Sequence, residues 1–298
     1  MENRRGGVTA RRYGAPVSAR LVRLVAAVAL VIGAVVPATA AQAAGTPKTE
    51  TASSGPVGAM FTYTDAGEGK WTGLRIQVTR DGAVAFDGTP TADGCEQPYC
   101  APGDPFTANG SLHVTDLDGD GEPEVLVDLY TGGAHCCLIA EVLRWTGSGY
   151  ATVVRDFADF GYTIAAPAAP GQPATFVTGD PRFAYAFASF ADSPFPARLL
   201  TFDRGRWHDV TRAHPETLRA DAARLRKEYL KRRAGRRALG ILAAWVADEY
   251  RLGARAKADA FLASELRAGR LNGDRPWPRR KAYITTLKRR LKAWGYTP

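Results

Sequence analysis

The sequence has little of what most catalytic sites are built from. Its 298 residues include only four histidines, His113, His135, His208 and His214, and four cysteines. No Gly-x-Ser-x-Gly elbow, His-Glu-x-x-His pair or phosphate-cradling glycine loop occurs. His113 falls in a run of strand character, and His208 and His214 flank a change in composition, so each reads as structural or solvated. Acidic residues are plentiful enough for a glycosidase pair, but two carboxylates at the required separation cannot be picked from sequence. No residue is therefore nominated as nucleophile or general base. Long apolar runs are also missing. The run at 24–36 is too short for a comfortable membrane span, and nothing later is long and apolar enough to cross a membrane.

That short apolar run belongs to a leader. Arg4, Arg5, Arg11, Arg12, Arg20 and Arg23 precede it, and small residues at 38–40 and 41–43 offer cleavage sites. Residues 1–44 read as a secretory signal peptide. Arg11-Arg12 runs into Tyr-Gly-Ala, a poor twin-arginine match, so the general secretion route is expected. No cysteine at the cleavage site provides for a lipid anchor. The mature chain is expected to be secreted, extracellular or associated with the cell wall, where cysteines oxidise.

Disulfides are accordingly expected among Cys95, Cys100, Cys136 and Cys137. Adjacent strand residues point to opposite faces, so Cys136 and Cys137 can each capture one of Cys95 and Cys100. Alternatively Cys95 pairs with Cys100 across "CEQPYC", and Cys136 pairs with its neighbour Cys137. The stretch "TGGAHCCL" also admits a zinc or copper site of His135 with two thiolates, or a reactive cysteine, although it lacks a Cys-x-x-Cys arrangement.

The net charge of +9 conceals a split. Between residues 44 and 210 there are 10 basic and 21 acidic residues; from 211 to 298 there are 23 basic and 8 acidic. An acidic half is followed by a basic one, which is the signature of an interacting surface. Three readings of the basic half stand side by side: a solvated helical face, a surface for an anionic cell-envelope polymer, or docking on the acidic half. No nucleic-acid-binding motif accompanies the charge, so no specific nucleic acid is expected as a partner.

Periodicity divides the chain at the same place. Residues 45–55 are rich in Thr, Ser and Gly without an apolar period and read as a flexible linker. Residues 56–210 hold short β-branched and aromatic runs, such as "LRIQVTR", "EVLVDLYT" and "ARLLTFD", punctuated by Gly, Pro, Asp and Asn. Residues 211–298 switch to helical spacing. Leu218, Ala222, Leu225 and Tyr229 form one apolar stripe; Leu239, Leu242, Val246 and Tyr250 form a second. Phe261, Leu262 and Leu266 mark a third, and Tyr283, Leu287, Leu291 and Trp294 a fourth. The expected fold class is α+β: an N-terminal all-β domain (sheet, sandwich or partial-propeller-like), then a small C-terminal bundle of four amphipathic helices.

The densest signal is "DLDGDGEPE", which holds five acids in nine residues. Asp116, Asp118 and Asp120 occupy positions 1, 3 and 5, with Gly121 at the turn. Glu122 at position 7 can offer its main-chain carbonyl, and Glu124 lies at position 9. Such crowded carboxylates repel one another unless a hard cation with six to eight oxygen ligands neutralises them, and the spacing suits calcium in a structural role. The twelfth position is Val127, and the flanks look like strands, so this is no EF-hand.

The pattern Asp-x-Asp-x-Asp-Gly-x-x-Glu before an apolar strand resembles the calcium loop of FG-GAP/VCBS-type repeats, found in integrin-like β-propellers and bacterial surface proteins. The resemblance implies side-chain ligands from Asp116, Asp118, Asp120 and Glu124 and a carbonyl from Glu122. It covers about 30 residues and occurs once, whereas a propeller needs several blades of about 40–45 residues. With "GGAHCC" and the basic tail, the chain resembles secreted bacterial proteins known by this repeat alone. The expected function is calcium-stabilised binding or adhesion at the cell envelope, without catalysis. The alternative is a secreted hydrolase acting on a wall or phosphate-containing substrate, with the metal loop purely structural.

Overall fold

A computed structural model describes residues 45–103, 110–133, 136–234 and 238–297. The leader and His135 lie outside these residues. The described chain forms three antiparallel sheets followed by four helices, the α+β arrangement expected. The first sheet is a meander of β1 (Thr46–Ser54), β2 (Val57–Gly67), β3 (Lys70–Arg80) and β4 (Ala83–Gly88). In the second, β5 (Ala101–Pro102) and β6 (Leu112–Thr115) both pair with β7 (Glu124–Tyr130); β8 (Leu138–Trp145) and β9 (Tyr150–Asp156) follow. The third runs β10 (Thr163–Ala165), β11 (Thr175–Gly179), β12 (Ala197–Asp203) and β13 (Arg206–Asp209).

The central strands of the middle sheet, β7 and β8, are buried on both faces, which explains why "EVLVDLY" carries apolar residues at odd and even positions alike. Successive strand side chains point to opposite sides. Val125, Val127 and Leu129 of β7, with Ile139 and Leu143 of β8, join a core containing Phe61, Ile76 and Val78 of the first sheet. Leu126, Ala140 and Val142 turn the other way, into a core with Phe176, Leu200 and Phe202 of the third. A sheet covered on both faces needs apolar residues at odd and even positions alike.

Two expectations are corrected. The segment 45–55 is no flexible linker, because Thr46–Ser54 is strand β1, paired with β2 along its whole length. Its Thr and Ser side chains suit an exposed edge strand, whose faces need little apolar content. Glu50 anchors it by accepting hydrogen bonds from Tyr63 Oη at 2.8 Å and the Ser111 amide at 2.7 Å. Nor is residue 210 a boundary of packing. The helices α1 (Pro215–Arg232), α2 (Leu239–Arg251), α3 (Arg255–Arg267) and α4 (Lys281–Ala293) share one core with Phe183, Phe187 and Phe195 from the connection between β11 and β12. Residues 43–298 form one compact unit.

Helix α1 starts as its sequence directs. Pro215 opens α1 with Glu216 in the first turn, where a fixed φ and a negative charge are both favourable. The expected stripe Leu218–Ala222–Leu225–Tyr229 is buried, as are Tyr283, Leu287 and Leu291 of the fourth, whose Trp294 caps α4 and is partly exposed. Helix α2 departs from amphipathic expectation: all its residues are buried, because α1, α3 and the β11–β12 connection enclose it. Gly240 makes this possible, since a Cβ there would collide with the main chain of Asp192. Enclosure also traps Asp248, whose carboxyl is pushed up to about 9 by burial first and then by the neighbouring Asp221.

Candidate metal centre

The acidic loop sits where all three sheets meet. It leaves β6 at Thr115 and enters β7 at Glu124, so it belongs to the middle sheet. Main-chain donors shape it through short-range turns. Asp116 accepts from the amides of Gly119 at 2.7 Å and Gly121 at 3.0 Å; Asp120 accepts from Glu122 N at 2.8 Å. The first sheet reaches it through Arg80, whose guanidinium meets the Glu122 carboxylate in a two-pronged pair, one contact being 2.8 Å. The third sheet reaches it three times. Arg204 N, from the β12–β13 turn, donates to Asp118 Oδ2 at 3.1 Å. Ala174 N donates to Leu117 O at 2.9 Å. Gly119, at φ +80°, lies so close to the 171–172 main chain that a Cβ would come within 2.7 Å of the Gln172 carbonyl carbon.

The carboxylates converge as the spacing predicts. Asp116, Asp118 and Asp120 each offer an oxygen, all within 4.8 Å of one another. Glu124 lies outside that tight set but near enough to feel its charge. Its side chain is 1% exposed. Oε2 accepts from the Leu117 amide at 2.8 Å, while Oε1 is buried with no hydrogen-bond partner. Burial first, and then the charges of Asp118, Asp120 and Asp116, push the Glu124 carboxyl up to about 8, against the pull of the Leu117 amide. A buried carboxylate oxygen without a donor is costly. A hard cation would satisfy it and bring the three aspartates together; the donors are all oxygen, which fits calcium and does not fit a soft metal. The Glu122 side chain is engaged by Arg80, so it is the main-chain carbonyl that Glu122 would have to offer such an ion.

Sequence reasoning missed one cation. Arg144 near the end of β8 places Nε 3.6 Å from Asp118 and a terminal nitrogen 3.6 Å from Asp120. The signal was present in hairpin arithmetic. Val125 pairs with Leu143, so one step outward sets Arg144 across from Glu124. This guanidinium lies beside two of the three aspartates, and its single positive charge does not neutralise all three.

The cysteines pair locally, Cys95 with Cys100 and Cys136 with Cys137. Of the three connectivities left open, the structure shows the local one. Cys136, Cys137 and Asp156 also converge, but both sulfurs are in the disulfide, so no thiolate is offered for zinc or copper. The remaining histidines form no catalytic set among the described residues. His113 Nε2 is 3.8 Å from Asp128, which also takes the Tyr162 hydroxyl; His214 faces Glu216 at 3.3 Å; His208 lies on β13.

No family model matches the chain, and no solved structure matches it. It is similar to a probable thylakoid lumen protein of Synechocystis sp., with 36% identity over 107 residues, covering 34% of this chain and 30% of that protein. The chain thus aligns with less than a third of the relative's length. Among the described residues no helix is long and apolar enough to cross a membrane.

Proposed function

We propose that this chain is an extracytoplasmic, non-enzymatic binding protein whose three sheets are clasped by one calcium ion at residues 116–124. Its basic helical part would hold an anionic component of the cell envelope. The observation that carries the reading is Glu124 Oε1, buried and unpartnered beside three converging aspartates on a loop that every sheet touches. An ion there would stabilise the junction of the sheets, an architectural role in keeping with the resemblance to FG-GAP/VCBS-type loops. The leader-like N-terminus and the lumenal name of the relative support an extracytoplasmic location. The charge split supports binding to an anionic component.

Calorimetric titration of the chelated protein tests the clasp. One calcium per chain is expected, with binding abolished in Asp118→Asn and Glu124→Gln. Absence of binding in the unmodified chain overturns it. Salt-dependent retention on isolated envelope tests the second part; failure to bind at low ionic strength counts against it.

A further inference from the structure

The basic residues of the helical part divide into two sets. Several are spent inside the molecule. Arg232 pairs with Asp192 at 2.7 Å, Arg251 reaches Asp209 at 3.5 Å and the Ala197 carbonyl at 2.8 Å, and Arg290 donates to the Ala186 carbonyl at 2.9 Å. This is the internal docking that was one of the readings of the charge. The second set is not used this way. Arg219, Arg226 and Lys227 make no ion pair among the described residues. Arg219 and Arg226 lie seven residues apart on α1, two turns along one face with Ala223 between them, and Lys227 follows Arg226 at the edge of that face.

That face borders a groove of about 680 Å³ between α1, the end of α2 and the start of α3. Such a volume is within the about 300–1,000 Å³ usual for small-molecule sites. Its floor is apolar, made by Ala222, Ala223, Leu252 and Ala254, with Leu230 at 37% exposure beside them. The rim is cationic. The single carboxylate in the lining, Glu249, is 3% exposed and held by Lys257 at 2.6 Å. Glu249 is thus taken by Lys257 and not by Arg219 or Lys227, and Arg226 stacks on Phe261 at 5.6 Å. The start of α3 opens on the same groove through Ala254, which brings no capping side chain, and its first turn holds no acid.

We infer that this groove binds one molecule of an anionic single-chain amphiphile, with the chain on the alanine–leucine floor and the acidic head among Arg219, Arg226 and Lys227. Charge complementarity selects the acid head. The apolar floor selects a ligand with a hydrocarbon body over a purely polar polyanion, which would leave that floor unmatched. The inference rests on the binding reading above and narrows it: the anionic envelope component would be recognised by its acyl chain as well as its charge.

The test uses the full calcium-loaded chain, with oleate below its critical micelle concentration as probe. Saturable binding at one per chain is expected, with no binding of oleyl alcohol and no displacement by inorganic phosphate. Arg219→Gln/Lys227→Gln should bind about tenfold more weakly, since each exposed charge contributes about 0.5–1 kcal/mol. Leu230→Asp, which sets a carboxylate beside the floor, should abolish binding while melting like the unmodified protein. Equal binding of the alcohol, unchanged affinity in both variants, or sedimentation with phosphatidylglycerol vesicles without oleate uptake would each overturn the groove. Envelope retention that persists in Leu230→Asp would sink this inference and leave the broader binding reading standing.

Discussion

Asp180 and Glu124 pose the same physical problem and receive opposite solutions. Both carboxyl groups are buried, at 0% and 1% exposure. Asp180, at the seam between the third sheet and the helices, is served from within the chain. Arg182 Nε donates to its two oxygens at 2.8 and 3.0 Å, and the buried Tyr296 hydroxyl donates at 2.7 Å. Burial alone would raise its pKa, yet these donors outweigh it and hold the group below the usual carboxylate value. At the acidic loop the chain supplies one amide to Glu124 and a guanidinium 3.6 Å from its neighbours, and the Glu124 carboxyl rises to about 8. A seam that must always be closed carries its own counter-charge. On the reading proposed above, the acidic loop would instead take its missing counter-charge from an ion.

Breaking the self-sufficient site should cost most. Asp180→Ala leaves the buried Tyr296 hydroxyl without its acceptor and Arg182 with the Trp294 carbonyl alone; with Arg182 partly exposed, the loss is expected at about 3 kcal/mol, the low end for breaking a buried charged pair. Thermal unfolding should show this loss equally with and without calcium.

The loop should respond in the reverse way. Calcium at a hundredfold excess over its Kd is expected to stabilise the unmodified chain by about 2.7 kcal/mol, read as a rise in Tm of several degrees. Glu124→Gln should remove that response. Without metal, the same variant isolates a pH effect. The folded chain keeps the Glu124 proton up to about pH 8, whereas the unfolded chain releases it near the ordinary 4.5. The group's favourable contribution is therefore complete below about 4.5 and is lost as pH rises towards 8. Melting curves of the chelated protein should fall across that window, and the Gln variant should fall less.

Gly119→Ala sharpens the comparison sterically. The added methyl must displace the 171–172 main chain at a residue held at φ +80°, so a loss of about 2 kcal/mol is expected even with calcium present. Arg144→Gln is the smallest change. It should cost about 1 kcal/mol in the chelated protein and less in the calcium form, where the ion takes over the neutralising role. An equal cost in both states would mean that Arg144 and the ion do not share one task.

Much of this was legible in one dimension. The composition change near residue 210 marks where strands give way to helices, because alternation and 3.6-residue spacing leave different signatures. Asp116, Asp118 and Asp120 were recognisable because their convergence depends on local turns whose donors lie within five residues. Strand β1 was not legible, since an edge strand of Thr and Ser has no apolar period and owes its order to pairing with β2. The local pairing of the cysteines was one of three open choices, as connectivity depends on where loops lie in space.

The sequence by itself determined the class of the fold, the helical stripes and the crowding of acid at one turn, all consequences of residues near one another along the chain. Only the tertiary structure decided that this turn lies against three sheets, that Arg80, Arg144 and Arg204 come to it from distant strands, and that α2 is wholly enclosed. It also decided which cations of the basic half are used internally and which line a groove. Those outcomes depend on long-range packing, in which residues far apart in the chain compete for the same buried space and the same few counter-charges.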